Sequence, residues 1–283
     1  MRTLLLTFAA TLLCAGAYAA DPELYCADLT YDGFTTRSYT FATRGDRTLV
    51  LEIDLPEQGD AGGPRPFVVY VPGGSWRTCG IGAFRRQSAY LASQGIAGVR
   101  IVYSLVGDGA EFSAGLEELQ AARDLVAARA GELGLDTLRF GYVAASAGTP
   151  LAADEALSQA GCRFFVGYNG IYDLTRRIDG SRFPEEGTPY LAPFSDGELR
   201  DFSPVNRIGA DPPTVALFHG RADRTISWKQ SQLFCDAVRA ADGRAEIVLY
   251  DDARHGFFNY GKSDYHEEVT RKTAAFIFSV LGE

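Results

Sequence analysis

The chain has 283 residues, of which 46% are hydrophobic and 22% charged, with a formal charge of -9 and a pI near 5.0. That length and balance suit one large globular α/β domain and exclude a disordered or fibrous chain. The acidic balance, with no basic run, speaks against nucleic acid as a partner and for neutral or weakly charged ligands.

The chain opens on MRTLLLTFAATLLCAGAYAA, with an early Arg2, an apolar stretch from Leu4 to about Ala17 and an A-x-A site at Ala17, Tyr18 and Ala19. This reads as an export signal over residues 1–20, followed by a single domain over 21–283 that is periplasmic or secreted. Leu13 before Cys14 is not the small residue that lipidation requires, so a lipoprotein is not expected. No other apolar run approaches the roughly 20 residues of a membrane-spanning helix. Beyond the signal, Cys26, Cys79, Cys162 and Cys235 leave two readings open: up to two disulfides in an oxidising compartment, or four separate buried thiols. None stands in a C-x-x-C spacing, and no metal or cofactor is expected.

SYTFAT and TLVLEIDL, separated by Arg44-Gly45-Asp46-Arg47, predict an antiparallel hairpin. From Pro66 short apolar runs alternate with helical stretches. PFVVYV is followed by a helix from about Ile81 to Ser93, AGVRIVY by one from about Ser113 to Gly131, and LRFGYV by one reaching about Gln159. RFFVGYN precedes a long irregular segment; TVALFHG leads to a helix over about Ser227 to Ala241, and AEIVLYD to a last helix over about Asp264 to Leu281. The pattern predicts an eight-stranded sheet with an antiparallel start and six parallel members, covered by helices on both faces. In the helix from Ser113, Leu116, Leu119, Leu125, Val126 and Leu133 form the expected buried stripe, with Glu117, Glu118 and Arg123 off it. The segment 170–211, rich in proline and aromatics, is either a small cap or substrate-binding insertion, or a surface excursion packed on its own rings.

Ser146 lies in RFGYVAASAGTPLAADEAL, where a buried strand meets a helix. Pro150 confines the helix start, because proline is tolerated only in a first turn. The chain must then reverse within two or three residues centred on the serine, and small neighbours at Ala144 and Gly148 leave room for that. Two readings follow: a nucleophile elbow with the Ala147 N–H aimed at a developing oxyanion, or a helix-capping serine at a packed corner. A nucleophilic serine needs a base, and the histidines are His219, His255 and His266. His219 closes a strand and reads as structural; His266, among Asp264, Tyr265, Glu267 and Glu268, reads as part of a solvated face. His255, in YDDARHGFFNYG, falls in a loop at the carboxyl edge of the sheet, where α/β enzymes carry their chemistry. Asp223, in FHGRADRTIS, projects from the same edge and is preferred over Asp251 and Asp252 as its carboxylate. In YVPGGSW, Gly73 and Gly74 follow the first parallel strand and allow backbone N–H groups to turn toward a ligand; a plain tight turn is the alternative.

PFVVYVPGGSW, GLDTLRFGYVAASAG, FHGRADRTIS and DDARHGFFN together resemble the α/β-hydrolase family, in particular exported esterases related to acetyl, acetylxylan and feruloyl esterases of the hormone-sensitive-lipase-like group. The likeness runs from about Arg37 to the C-terminus. It implies the α/β-hydrolase fold, with Ser146 as nucleophile, Asp223 as acid, His255 as base and oxyanion donors at Gly74, Ser75 and Ala147. Two positions depart from the family's pattern: Pro72 stands where a histidine helps hold the oxyanion loop, and Ala144 where the elbow has its first glycine. The expected activity is serine carboxylester hydrolysis of short-chain, carbohydrate or phenolic esters, with Trp76 and Gly73 touching substrate. The alternatives are a peptidase of the prolyl-oligopeptidase type and a non-catalytic hydrolase-like binding protein.

Overall fold

The computed structural model describes residues 25–57, 63–175 and 194–282. The expected export segment and the stretch 176–193 within the expected cap lie outside the described residues.

Strands β1 (Phe34–Arg44) and β2 (Arg47–Pro56) form the expected antiparallel hairpin, turned at Gly45 with a φ of 57°. The remaining strands are β3 (Arg65–Val71), β4 (Ala97–Ile101), β5 (Leu135–Ala145), β6 (Cys162–Tyr168), β7 (Thr214–Gly220) and β8 (Ala245–Tyr250). The helices are α1 (Arg85–Ser93), α2 (Phe112–Ala128), a single turn α3 (Ala130–Leu133), α4 (Thr149–Ser158), the short α5 (Asp196–Asp201), α6 (Lys229–Ala240) and α7 (Tyr265–Gly282). All eight strands join one sheet in the order β1-β2-β4-β3-β5-β6-β7-β8, in which β3 to β8 pair in parallel and β2 meets β4 antiparallel.

The central strands β3 to β7 are largely apolar on both faces because both are covered. Phe67, Val69 and Val71 of β3 point into a core shared with Leu119 of α2, Leu151 of α4 and Phe234 of α6. Val68 and Tyr70 of the same strand join Tyr90 and Leu91 of α1 and Val269 and Ile277 of α7 on the other side. The strand period of two thus sorts one run of residues between two cores. The carboxyl ends of β3, β5, β6, β7 and β8 then share one edge.

Several local expectations need correction. Helix α1 begins at Arg85, not Ile81, because Phe84 takes a left-handed backbone at φ 62° that interrupts helical geometry. Glu118 is not on a solvated face. It is fully buried and accepts from Ser104 N at 2.6 Å, Ser104 Oγ at 2.7 Å and Arg44 Nε at 3.2 Å, so hydrogen bonds replace the water it loses. His266 is likewise buried, with its ring nitrogens 2.6 Å from Tyr25 Oη and 2.6 Å from Phe258 O. The four cysteines are all free thiols, so the disulfide reading gives way, but of the four separate thiols only Cys235 is fully buried while Cys26, Cys79 and Cys162 are half-buried; burial pushes the Cys79 thiol up to about 11. In the described part of 170–211, Ser195 caps α5 through a reciprocal capping box with Glu198, and a 3-10 turn runs over Pro204–Asn206. Among the described residues, no helix is long and apolar enough to cross a membrane.

Candidate active site

β5 ends at Ala145, and Ser146 takes a φ of 48°, a left-handed backbone for a residue with a side chain. A 3-10 turn over Ser146–Gly148 feeds α4, with Pro150 in its first turn. Such a backbone costs roughly 1–3 kcal/mol and persists only where surroundings hold it. Here Thr149 Oγ1 donates to Ser146 O at 2.6 Å and accepts from Ile171 N at 2.8 Å, tying the turn to the segment after β6. The crowding inferred from sequence is real: a Cβ on Gly148 would stand 2.4 Å from Pro72 O and 2.6 Å from Val71 O. Ala144 is fully buried, and its register partner on β6 is Gly167, so its extra methyl faces a residue without a side chain.

His255, in the loop after β8, connects two of the other residues. Its Nδ1 lies 2.8 Å from Asp223 Oδ2 and its Nε2 3.0 Å from Ser146 Oγ. Because a carboxylate only accepts, Nδ1 carries the proton and donates, which leaves Nε2 to accept from the serine hydroxyl. Asp223 Oδ1 accepts from Thr225 N at 2.8 Å and Ile226 N at 3.0 Å, fixing the carboxylate in its turn after β7. Burial alone would push the Asp223 carboxyl up, but hydrogen bonds from His219 and His255 outweigh it and hold the group well below the usual carboxylate range. His219, fully buried, donates from Nε2 to Ile226 O at 3.0 Å and has Nδ1 2.8 Å from Ser231 Oγ; its Nε2 also stands 3.4 Å from Asp223 Oδ2. It therefore supports the acid loop from behind.

Across from the serine, the loop after β3 holds three successive left-handed residues: Gly74 (φ 131°), Ser75 (φ 55°) and Trp76 (φ 53°). Gly74 O accepts from Arg77 N at 3.0 Å and Thr78 N at 3.1 Å, and a Cβ on Gly74 would lie 1.9 Å from Thr78 O. The bracing that Pro72 does not supply as a side chain comes through its carbonyl, which accepts from Tyr103 Oη at 2.8 Å. Gly73 is pressed against the elbow, its missing Cβ 2.9 Å from Ser146 Cβ. A hollow of about 760 Å³ brings Gly73, Gly74 and Ser75 together with Ser146 and His255, walled by Phe84 and Phe258. Ala147 is buried directly behind Ser146, at the start of the turn into α4.

Trp76 does not line this hollow. Its ring is 4% exposed and meets Phe112 edge-on at 5.3 Å, and Phe112 in turn touches Phe194 and Phe202. Among the residues sequence reasoning missed is Asn169, buried at the end of β6 with a φ of 38°; its Oδ1 accepts from Gly256 N at 3.3 Å and so steadies the histidine loop. Its place at the carboxyl end of a parallel strand, just before Gly170, was the available signal. Phe84 and Phe258 carried no chemical signature in sequence.

A mixed sheet with a serine on a strained strand-to-helix turn, and a carboxylate and histidine on the next loops of the same edge, defines an α/β-hydrolase fold. A family model described as BD-FAE matches residues 51–173, and that of the dienelactone hydrolase family matches residues 203–283. The chain is 28% identical over 259 residues to isoprenylcysteine alpha-carbonyl methylesterase ICME of Arabidopsis thaliana, and 26% identical over 242 residues to esterase LipQ of Mycobacterium tuberculosis. These alignments cover 77% and 75% of this chain but 58% and 55% of the relatives, so the chain spans a little over half the length of the curated relatives it matches. Thermogutta terrifontis esterase 2, in a structure phosphonylated by sarin, superposes with a TM-score of 0.76 at 22% identity, over 90% of this chain and 98% of that one. The chain has the α/β-hydrolase fold and is similar to both of these families over the matched residues.

Proposed function

We propose that this protein is a serine carboxylesterase that hydrolyses short-chain, acetyl-type, or carbohydrate or phenolic esters. The observation that carries the proposal is the unbroken hydrogen-bonded line from Ser146 Oγ through the His255 ring to Asp223, opening on the glycine loop of Gly73 and Gly74. In this reading His255 Nε2 takes the hydroxyl proton as Ser146 Oγ attacks the ester carbonyl, and Asp223 stabilises the imidazolium and keeps the ring in its tautomer. Backbone N–H groups of Gly74, Ser75 and Ala147 receive the oxyanion. His255 then returns the proton to the leaving alcohol, and water, activated by the same imidazole, hydrolyses the acyl-serine. The esterase and methylesterase names of the relatives support ester hydrolysis. The Phe84 and Phe258 walls favour a compact acyl group or a stacked ring.

Wild-type protein should react with a fluorophosphonate probe and release p-nitrophenol from p-nitrophenyl acetate, while Ser146→Ala does neither. Unlabelled wild-type protein, or turnover that survives the substitution, overturns the reading. The apolar segment ahead of A-x-A supports export as well; full-length protein retained in the cytoplasm on cell fractionation would refute that part alone.

A further inference from the structure

A second hollow, of about 720 Å³, opens between the loops after β7 and β8, and His255 lines both it and the hollow that holds Ser146. The chain carries a net charge of -9, yet this wall presents Arg221, Arg224, Lys229 and Arg254. Arg221 is engaged: its Nε is 3.0 Å from Asp251 and its guanidinium lies 4.7 Å from the Trp228 ring. Arg224, Lys229 and Arg254 are exposed, and among the described residues no carboxylate is ion-paired with them. The Asp223 carboxylate on the same wall is already occupied by His255, Thr225 N and Ile226 N. A concave surface with three unneutralised cations concentrates anions.

The direction of the chemistry says which part of an ester would arrive there. The base that deprotonates a serine also protonates the leaving oxygen, so that oxygen must come within hydrogen-bond reach of His255 Nε2. Because His255 lines both hollows, substituents on the alcohol long enough to extend past the imidazole can reach the basic one. We propose that the alcohol portion of the substrate bears an oxyanion group, a carboxylate or a phosphate, held by Arg224, Lys229 and Arg254. This rests on the esterase reading and narrows its substrate class from neutral to anionic esters, against the expectation drawn from overall charge.

The test compares wild type with the Arg224→Gln/Arg254→Gln double variant on 4-acetoxybenzoate and on its methyl ester, with 4-acetoxyphenyl phosphate as a second anionic arm. Taking the ratio of kcat/KM for the anionic over the neutral ester, in wild type against the variant, cancels the intrinsic reactivity of each ester. The ratio should fall about tenfold in the variant, and an Arg224→Lys/Arg254→Lys variant should restore most of it. In wild type it should also fall between 0.01 M and 1 M salt, as the screening length shrinks from about 30 Å to about 3 Å. The arm that responds identifies the anion. An unchanged ratio in both arms, with p-nitrophenyl acetate still hydrolysed, overturns the anionic subsite and leaves the esterase reading intact. If no ester is turned over, calorimetry with 4-hydroxybenzoate decides the subsite independently: binding weakened about tenfold in the double variant supports it, and equal or absent binding overturns it.

Discussion

At the scale of single residues, the site is a set of constraints that few side chains satisfy. Asp223 must be ionised to orient His255, and the hydrogen bond from His255 together with the His219 ring beside the carboxylate keeps it so. Asp223→Asn retains the volume but can present an N–H to His255 Nδ1, favouring the wrong tautomer; kcat on p-nitrophenyl acetate should drop by about 10⁴, with the melting temperature shifted far less. At the elbow the two small residues differ in kind. Gly148→Ala puts a methyl 2.4 Å from Pro72 O and should destabilise by about 1–3 kcal/mol, read by denaturant titration. Ala144→Gly removes a fully buried core methyl and should cost about 1–2 kcal/mol through lost burial and backbone entropy, with turnover changed by less than a factor of about two; a large gain in turnover would mean that the methyl misplaces the serine. That Ser146, His255 and Asp223 come together was legible because the proposed chemistry restricts the residue types and the carboxyl edge restricts their positions. His219 was read as structural, as it is, with partners at Ile226 and Ser231 close in sequence; Asn169 was not legible, since its role comes from Gly256, which only the fold brings close.

At the scale of elements, loops without regular structure are held by single contacts from neighbours. Tyr103, just beyond β4, is fully buried and reaches the Pro72 carbonyl from the adjacent strand. Tyr103→Phe removes one neutral hydrogen bond and should lower stability by about 1 kcal/mol; because it loosens the end of the glycine loop, kcat should fall more than KM rises. The N-terminal segment is tied to α7 in a similar way, through Tyr25 and His266. Phe258 O accepts from His266 Nδ1, so Nε2 accepts from the Tyr25 hydroxyl and the ring is neutral. Burial, chiefly, lowers the His266 pKa, with Arg86 acting in the same direction and the Phe258 carbonyl and Glu267 opposing. The unfolded chain therefore takes up this proton first as pH falls, so stability is fullest above the ordinary histidine range and declines as pH drops below about 6.5. His266→Gln should flatten the dependence of the melting temperature on pH between about 7 and 5; a slope equal to wild type would refute this coupling. Sequence placed His266 on a solvated face because its acidic neighbours suggested one, yet on a helix those neighbours point elsewhere.

At the scale of the whole molecule, strand count, direction and two-sided burial were all readable, because alternating apolar runs and helices leave few ways to cover a parallel sheet. What could not be read is polar chemistry inside that sheet. Arg100, on β4, is 2% exposed; its Nε and an Nη lie 2.9 Å and 3.1 Å from Asp54 of β2, and its guanidinium is 2.7 Å from Glu52. Asp54 also accepts from Thr36 Oγ1 at 2.7 Å and from Ser88 Oγ, so one carboxylate links β1, β2, β4 and α1. Periodicity treats Asp54 as the polar half of an alternation, whereas the pairing of β2 with β4 puts it under α1. The third Arg100 nitrogen, its other Nη, donates to Ile81 O at 2.7 Å, which carries the network toward the segment leading into Phe84 and the wall of the hollow that holds Ser146. Asp54→Ala leaves a buried guanidinium short of its bidentate partner and should cost about 3–5 kcal/mol. If the penalty comes from the stranded charge, Asp54→Ala/Arg100→Met should be more stable than Asp54→Ala alone, because the second change removes the charge and fills its space with an apolar chain. Chemical denaturation of the two variants against wild type measures this directly, and a double variant less stable than the single one would show that Arg100 holds the antiparallel start to the parallel sheet through Glu52 and Ile81 without its main partner.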